Sequence, residues 1–295
     1  MSKIKFYKLQ ASGNDFILID KNKFLKDKGK KYLSAFAKKY CIRKQAIGAD
    51  GLLVVEPSKK GDFKMRIFNA DGTEAQMCGN GARCVALWKA CSANLGCNKK
   101  IKFDTKAGII EASLTSKIKK EKNLISARVK AKVTKPFGLL KNIPLHILGR
   151  KIKVNFINTG VPHVVIFVDG LDDIEVEKIA RPIRFHKQFF PQGTNVNFVE
   201  PLDSGKIKIR TYERGVEAET LACGTGSIAS AILYSVKRQT KNKKVRQGQK
   251  IRIQTKGGEI LKVAFKLNKD QAKDVWFEGK TYCVYEGQLE NKGIR

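Results

Sequence analysis

Two cysteines stand in matching surroundings. Residues 74–81 read Glu-Ala-Gln-Met-Cys-Gly-Asn-Gly, and residues 219–226 read Glu-Thr-Leu-Ala-Cys-Gly-Thr-Gly. In each copy a Glu precedes the Cys by four residues, an alternating segment lies upstream, and an almost wholly apolar run follows. Cys-Gly-x-Gly opening a helix has particular chemistry open to it. The first N–H groups of a helix lack internal partners, and the aligned peptide dipoles place about half a positive charge there. Glycines let an anionic group approach those amides closely. A thiol at the same place ionises readily, its pKa falling from about 8.5 to between about 3.5 and 7.5. Each copy therefore offers one reactive sulfur, Cys78 or Cys223, beside one carboxylate nest.

If both nests grip the same carboxylate, the two sulfurs flank its α-carbon. One thiolate removes the α-proton, the other thiol delivers a proton to the opposite face, and the stereocentre inverts. Two opposed helix N-termini supply the electrostatic stabilisation that the carbanion requires. The bland alternative, buried cysteines beside helix-capping glycines, accounts for one copy better than for two.

The elements that must hold these cysteines are mostly strands. Phe63, Met65 and Ile67 alternate with Lys64 and Arg66, and the same period of two runs through Ile125–Val133, Ile152–Phe156 and Ile207–Ile209. Continuous apolar runs, Leu52–Val55 and Val164–Val168, predict strands buried on both faces. Tyr32, Leu33, Phe36 and Tyr40 share a helical face, and Asp172–Ala180 reads as a short amphipathic helix. Ala82–Cys91 and Ile228–Val236 are apolar all round, which predicts two enclosed helices, one after each reactive cysteine. A repeat of this length fits two duplicated domains, with the boundary in the charged, turn-like segment Lys117–Lys122.

Bulk composition excludes several classes. Seven cysteines, an odd number without a Cys-x-x-Cys pair, argue for reduced thiols and against a disulfide framework or a zinc site. No segment is apolar enough to span a bilayer, and the N-terminus lacks a signal pattern, so a cytoplasmic protein without membrane attachment is expected. The net charge of +32 comes from lysines spread along the whole length, including Lys26–Lys31 and Lys241–Lys244. That spread reads as a solvated surface with weak, salt-sensitive attraction to polyanions, not as a specific nucleic-acid interface.

Ordered blocks along nearly the whole chain then resemble the diaminopimelate epimerase family. They are Gly13-Asn14-Asp15-Phe16, Ile47-Gly48-Ala49-Asp50-Gly51, Phe68-Asn69-Ala70-Asp71-Gly72 and Met77-Cys78-Gly79-Asn80-Gly81-Ala82-Arg83-Cys84. The second half adds Gly160-Val161-Pro162-His163, Gly193-Thr194-Asn195-Val196-Asn197-Phe198, Tyr212-Glu213-Arg214-Gly215, Ala222-Cys223-Gly224-Thr225-Gly226 and Val284-Tyr285-Glu286-Gly287. The resemblance implies an α/β (α+β) fold of two similar domains. Each would be a curved, mostly antiparallel sheet around a central helix, with the active site in the interdomain cleft. One domain would comprise residues 1–121 plus a return strand at 273–295, the other residues 122–272.

It also implies roles residue by residue. Cys78 and Cys223 would be the acid/base pair, with His163 and Glu213 tuning the thiols. Gly79, Asn80, Gly224 and Thr225 would hold the carboxylate at the reacting centre. Asn69, Asn195 and Arg214, with Glu213 nearby, would hold the distant amino-acid end, and Asn14 would face the substrate. The substrate would be a small diamino dicarboxylic acid, epimerised without cofactor or metal. The expected assembly is a homodimer with Tyr285 at its interface, and the expected place is the synthesis of lysine and peptidoglycan precursors. A two-cysteine racemase of the proline racemase type is the near alternative, typically with His where Asn80 stands. Three departures touch the substrate range. Many family members carry Asn where Val161 stands, some carry Gln at Gly51, and one extra residue lies between Gly215 and Cys223.

Overall fold

A computed structural model describes residues 3–24, 28–122, 124–203, 205–241 and 248–290. The rest, including residues 242–244 of the run Lys241–Lys244 and 26–27 of the run Lys26–Lys31, lie outside the described residues. The chain forms two compact units, Met1–Lys132 with Gly279–Arg295, and Val133–Glu278. The segment 117–122, where the sequence places the boundary, lies inside the first unit, because Lys119–Glu121 pairs with Leu124–Ser126 as a hairpin.

The first unit runs β1 (Lys3–Ala11), β2 (Asn14–Asp20), α1 (Lys21–Phe24), α2 (Lys30–Tyr40), β3 (Gly51–Glu56), β4 (Phe63–Asn69) and β5 (Glu74–Ala75). It continues through α3 (Gly79–Ser92), β6 (Ile101–Thr105), β7 (Gly108–Leu114), β8 (Lys119–Glu121) and β9 (Leu124–Lys132). The second unit opens with β10 (Phe137–Ile147), β11 (Arg150–Asn158), β12 (Pro162–Phe167), α4 (Val176–Arg184), β13 (Asn195–Asp203), β14 (Lys206–Glu213) and β15 (Ala218–Thr220). Next come α5 (Gly224–Lys241), β16 (Gly248–Gln254), β17 (Ile260–Asn268) and β18 (Gln271–Glu290). The early part of β18 pairs with β17, and its residues Thr281–Glu290 lie antiparallel to β1.

Strand pairing bears out the duplication in topology as well as in motif. In the first unit β2 runs parallel to β3, β3 antiparallel to β4, β4 antiparallel to β5, and β6 parallel to β4. In the second, β12 runs parallel to β13, β13 antiparallel to β14, β14 antiparallel to β15, and β16 parallel to β14. α2 and α4 occupy the two parallel crossovers, and α3 and α5 follow the short strands β5 and β15. The fold is mixed α/β, and most of its strand pairs are antiparallel.

Apolar sequence explains the placement of α3 and α5. In α3, Ala82, Val85, Ala86, Leu87 and Ala90 are inaccessible to solvent and pack with Leu9, Leu53, Ile67, Phe103 and Val129 from the surrounding strands. Ile228, Ile232 and Leu233 of α5 pack likewise with Val165, Ile209, Ile253, Val263 and Phe277. Burying each such Leu or Ile contributes about 1.5–3 kcal/mol, so these helices are fixed by their cores. The expected helix at 172–180 is displaced. Leu171–Asp173 is a single 3-10 turn, Ile174 is extended, and α4 begins at Val176. Asp172 is drawn instead onto Lys208 at 2.6 Å, while Val176, Ala180 and Ile183 form the buried face. Among the described residues no helix is long and apolar enough to cross a membrane.

Candidate active site

Each unit carries one of the two repeated cysteines at the start of its buried helix. Cys78 caps α3 from an extended backbone (φ −140°, ψ 124°), and its Sγ accepts the Gly81 N–H at 3.4 Å. The Cys78 carbonyl receives the Ala82 N–H at 2.8 Å, as the Cys223 carbonyl receives that of Ser227 at 2.9 Å. Both cysteines thus stand at the end of a helix where amides lack partners within the helix.

Asn14 and Asn80 meet beside Cys78. The Asn80 Nδ2 donates to the Asn14 Oδ1 at 2.6 Å, and the Asn14 Nδ2 donates to Asp50 at 3.1 Å. The buried Arg83 guanidinium, which only donates, fixes the sense of this chain by donating to the Asn80 Oδ1 at 2.6 Å. Its Nη2 also donates to Ser12 Oγ at 2.7 Å, in the two-residue turn that delivers Asn14 to the start of β2. That turn places both Ser12 and Gly13 at positive φ (51° and 85°), as a tight hairpin of native twist requires. Arg43 bridges Asp15 and Asp50 at 2.6 and 2.7 Å, and Lys8 joins Asp15 at 2.7 Å and the Gly48 carbonyl. Burial acts to raise the Asp15 carboxyl, but hydrogen bonds from Lys8 and Arg43 outweigh it and hold it below the usual range.

In the second unit Cys223 is 4% exposed, with Sγ 3.5 Å from the Thr225 hydroxyl. Burial, reinforced by the Glu213 charge, pushes its thiol up to about 12 against the lowering effect of Thr225 and the Thr225 and Gly226 amides. The low pKa expected from a helix terminus therefore does not hold here, because desolvation of the thiolate exceeds the dipole's pull. His163 is fully buried, and burial with the nearby Arg214 charge brings its pKa down to about 3. Asn195 donates to the Pro162 carbonyl at 2.9 Å and accepts the Arg214 N–H at 2.9 Å. The Arg214 guanidinium donates to the Gln192 carbonyl at 2.9 Å. Thr159 donates to the Thr225 carbonyl at 3.0 Å and so pins the first turn of α5.

Four further positions fall outside these clusters or bear on them. Asn69 is exposed at the end of β4, where it bonds Thr73 in a tight turn. Tyr285 is 42% exposed on β18, its ring edge-on to Phe6. A Cβ at Gly51 would lie 2.7 Å from the Phe68 carbonyl oxygen, so a Gln there would need the strands to shift. The extra residue before Cys223 is absorbed in a turn closed by the Glu217 N–H on the Glu213 carbonyl, with Glu217 at φ 58° and tied to Arg184 at 2.9 Å. Among the described residues no group of three or more His, Cys, Asp or Glu side chains is placed to hold a metal ion.

The repeated glutamates, Glu74 and Glu219, have a structural task that the motif alone does not reveal. Glu74 bonds Arg66 at 2.7 Å and Lys106 at 2.8 Å; Glu219 bonds Arg210 at 2.7 Å and Lys256 at 2.6 Å. Each Arg–Glu–Lys cluster ties the short strand leading into a cysteine to its neighbours. Burial acts to raise the Glu74 carboxyl, but its Arg66 and Lys106 hydrogen bonds prevail and bring it to about 2. The signal was present in sequence as Met65-Arg66-Ile67 and Ile209-Arg210-Thr211 at equivalent places in the two alternating strands.

The family model described as diaminopimelate epimerase matches residues 6–130 and 155–277. The chain is 40% identical to the diaminopimelate epimerase of Aquifex aeolicus (strain VF5), covering 98% of this chain and 99% of that protein. It is 43% identical to the diaminopimelate epimerase of Hydrogenobaculum sp. (strain Y04AAS1), covering 96% and 97%. Among solved structures, a PhzF-family phenazine biosynthesis protein of Bacillus anthracis shares the fold with a TM-score of 0.70 at 17% identity, covering 98% of this chain and all of that one. A hydroxyproline epimerase of Agrobacterium vitis does so with a TM-score of 0.64 at 12% identity, covering 98% and 91%. By motif, duplicated topology and full-length similarity, the chain belongs to the diaminopimelate epimerase family.

Proposed function

We propose that this amino-acid epimerase interconverts LL- and meso-diaminopimelate with Cys78 and Cys223 as its acid/base pair and without a cofactor. The observation that carries the reading is the duplicated half-site, in which each cysteine stands at the N-terminus of a buried helix with backbone amides at its sulfur. At rest Cys223 keeps its proton and is the thiol that delivers it, while Cys78 acts as the base. One turnover exchanges the two roles, so the reaction runs equally in reverse. Gly79, Asn80, Gly224 and Thr225 supply amides to the carboxylate at the reacting carbon, where negative charge grows as the proton leaves.

The distant end is read by Asn69, Asn195, Glu213 and Arg214. Arg214 has five N–H donors and can clamp a carboxylate bidentately, and amides or a carboxylate suit an ammonium. Asn14, with its orientation fixed through Asn80 and Asp50, faces the substrate from the first unit. The same reading includes a cytoplasmic homodimer with Tyr285 at its interface, which light scattering of the wild type and Tyr285→Ala tests. For the activity, reduced protein is incubated with LL-diaminopimelate and the meso isomer is followed by chiral chromatography. Cys78→Ala and Cys223→Ala should each lose about 10²- to 10⁴-fold in rate. A near wild-type rate in either folded variant would remove that cysteine from the mechanism.

A further inference from the structure

Matching the two units strand for strand isolates three positions in the second unit. In the first unit Ile67 of β4 pairs with Leu53 of β3 and Ala75 of β5; in the second, Thr211 of β14 pairs with Asn197 of β13 and Thr220 of β15. Gly51 pairs with Phe16 of β2, as Asn195 pairs with His163 of β12. A Cβ added at Gly81 would meet Leu53 at 3.0 Å, and one added at Gly226 would collide with the Asn197 Oδ1. Phe16, Leu53 and Ile67 in one half therefore correspond to His163, Asn197 and Thr211 in the other. All six are buried. The frame accepts an apolar set at these places, so packing alone does not call for a polar one, whose burial is unfavourable unless it is hydrogen-bonded.

The hydrogen bonds of the polar set define a proton position. The Asn197 amide touches the Val164 carbonyl at 2.8 Å, and a carbonyl only accepts, so this end of the amide is the NH₂. Consistently, the Asn197 Oδ1 accepts from the Thr211 hydroxyl at 3.0 Å. The second Asn197 N–H then faces the His163 Nδ1 at 3.1 Å, which must offer its lone pair. A neutral imidazole with a bare Nδ1 carries its hydrogen on Nε2. The His163 Nε2 is buried and has no hydrogen-bond partner among the described residues. Burial and Arg214 keep the ring neutral.

We infer that Asn197 is a positioning residue that locks His163 as the Nε2–H tautomer, so that the imidazole serves the site as a neutral hydrogen-bond donor and not as a base. Thr211 and the Val164 carbonyl fix the Asn197 amide, and Asn197 fixes the ring. A donor of this kind favours negative charge beside it. The catalytic consequence rests on the two-thiol reading above, whereas the tautomer does not.

The test is ¹⁵N NMR of the full-length, reduced protein labelled in histidine, with His163→Gln used to assign the ring among His146, His163 and His186. The expected spectrum has a protonated Nε2 and a bare Nδ1 for His163. A proton on Nδ1, or on both nitrogens, overturns the inference. In Asn197→Asp a carboxylate faces Nδ1 and demands a proton there, and the spectrum should change accordingly. The kcat for diaminopimelate should fall by about tenfold, the equivalent of one pKa unit in a reacting group, with KM changed less than about twofold. If Nδ1 gains its proton and kcat is unchanged, the positioning role is withdrawn. If Asn197→Asp does not fold, the wild-type spectrum still decides the tautomer. A wild-type protein that carries Nε2–H yet does not epimerise diaminopimelate would refute the functional reading and leave the tautomer assignment standing.

Discussion

Burial lifts the Cys223 thiol to about 12 although the amides at the start of α5 pull the other way. It acts on Cys41, also raised to about 12, and on Cys84, raised as well, from an ordinary value of 9.0. A group whose folded pKa is raised holds its proton more tightly in the folded state. Its contribution is therefore complete below about 9 and is lost as pH rises toward the folded value. Urea unfolding under reducing conditions should show stability falling by about 1 kcal/mol per pH unit per buried thiol between about pH 9 and 11. Cys84→Ala should show a shallower decline, and an identical slope would contradict the assignment. At the same scale, Gly226→Ala drives a methyl into the Asn197 amide, whereas Gly81→Ala meets only the end of the Leu53 side chain. Gly226→Ala should cost about 1–3 kcal/mol and Gly81→Ala clearly less, read from denaturant midpoints. The cysteine motif was legible because residue identity and spacing define it. The tautomer was not, since Asn197, Thr211 and His163 meet only when three strands pair.

Among the elements, alternation in β4, β9 and β14 was readable because one face of each is buried and the other more accessible, whereas in β11 Val154 and Ile157 are buried on opposite faces. β1 and β18 gave weaker signals. Lys8 and Thr281 are buried polar residues that interrupt their patterns, and Lys8 is satisfied by Asp15 and the Gly48 carbonyl, contacts that no local pattern announces. The helix at α4 was placed too early because Asp172 and Asp173 resemble a helical first turn, while the chain uses Asp172 to hold Lys208 of β14. The Arg–Glu–Lys clusters belong to this scale, since they join β4 to β5 and β14 to β15 just before each cysteine. Glu74 is 2% exposed, and its loss leaves the largely buried Arg66 short of its closest carboxylate partner. Glu74→Ala should therefore destabilise by about 3 kcal/mol with an unchanged denaturant slope. A change under about 0.5 kcal/mol, the usual size for a surface substitution, would show that the cluster does not anchor the half-site.

For the whole molecule, duplication was visible in sequence because both copies kept the Cys-Gly-x-Gly motif, while the division after Lys132 follows the β8–β9 hairpin and not the charge run. The net charge of +32 comes from lysines spread along the whole length. It predicts association with any long polyanion at low ionic strength, abolished by about 0.5 M salt; gel-shift titrations with unrelated DNA sequences should give equal affinities. A strong preference for one sequence would point to a second activity. Two thiols acting on opposite faces of one carbon leave a distinct isotope pattern in the product. Reduced protein is given LL-diaminopimelate in deuterated water, and both isomers are analysed at low conversion. With two thiols, the meso isomer is expected to carry solvent deuterium at the inverted α-carbon while the remaining LL isomer stays unlabelled. A meso product that retains the original proton would mean a single group working on both faces and would contradict the two-thiol mechanism.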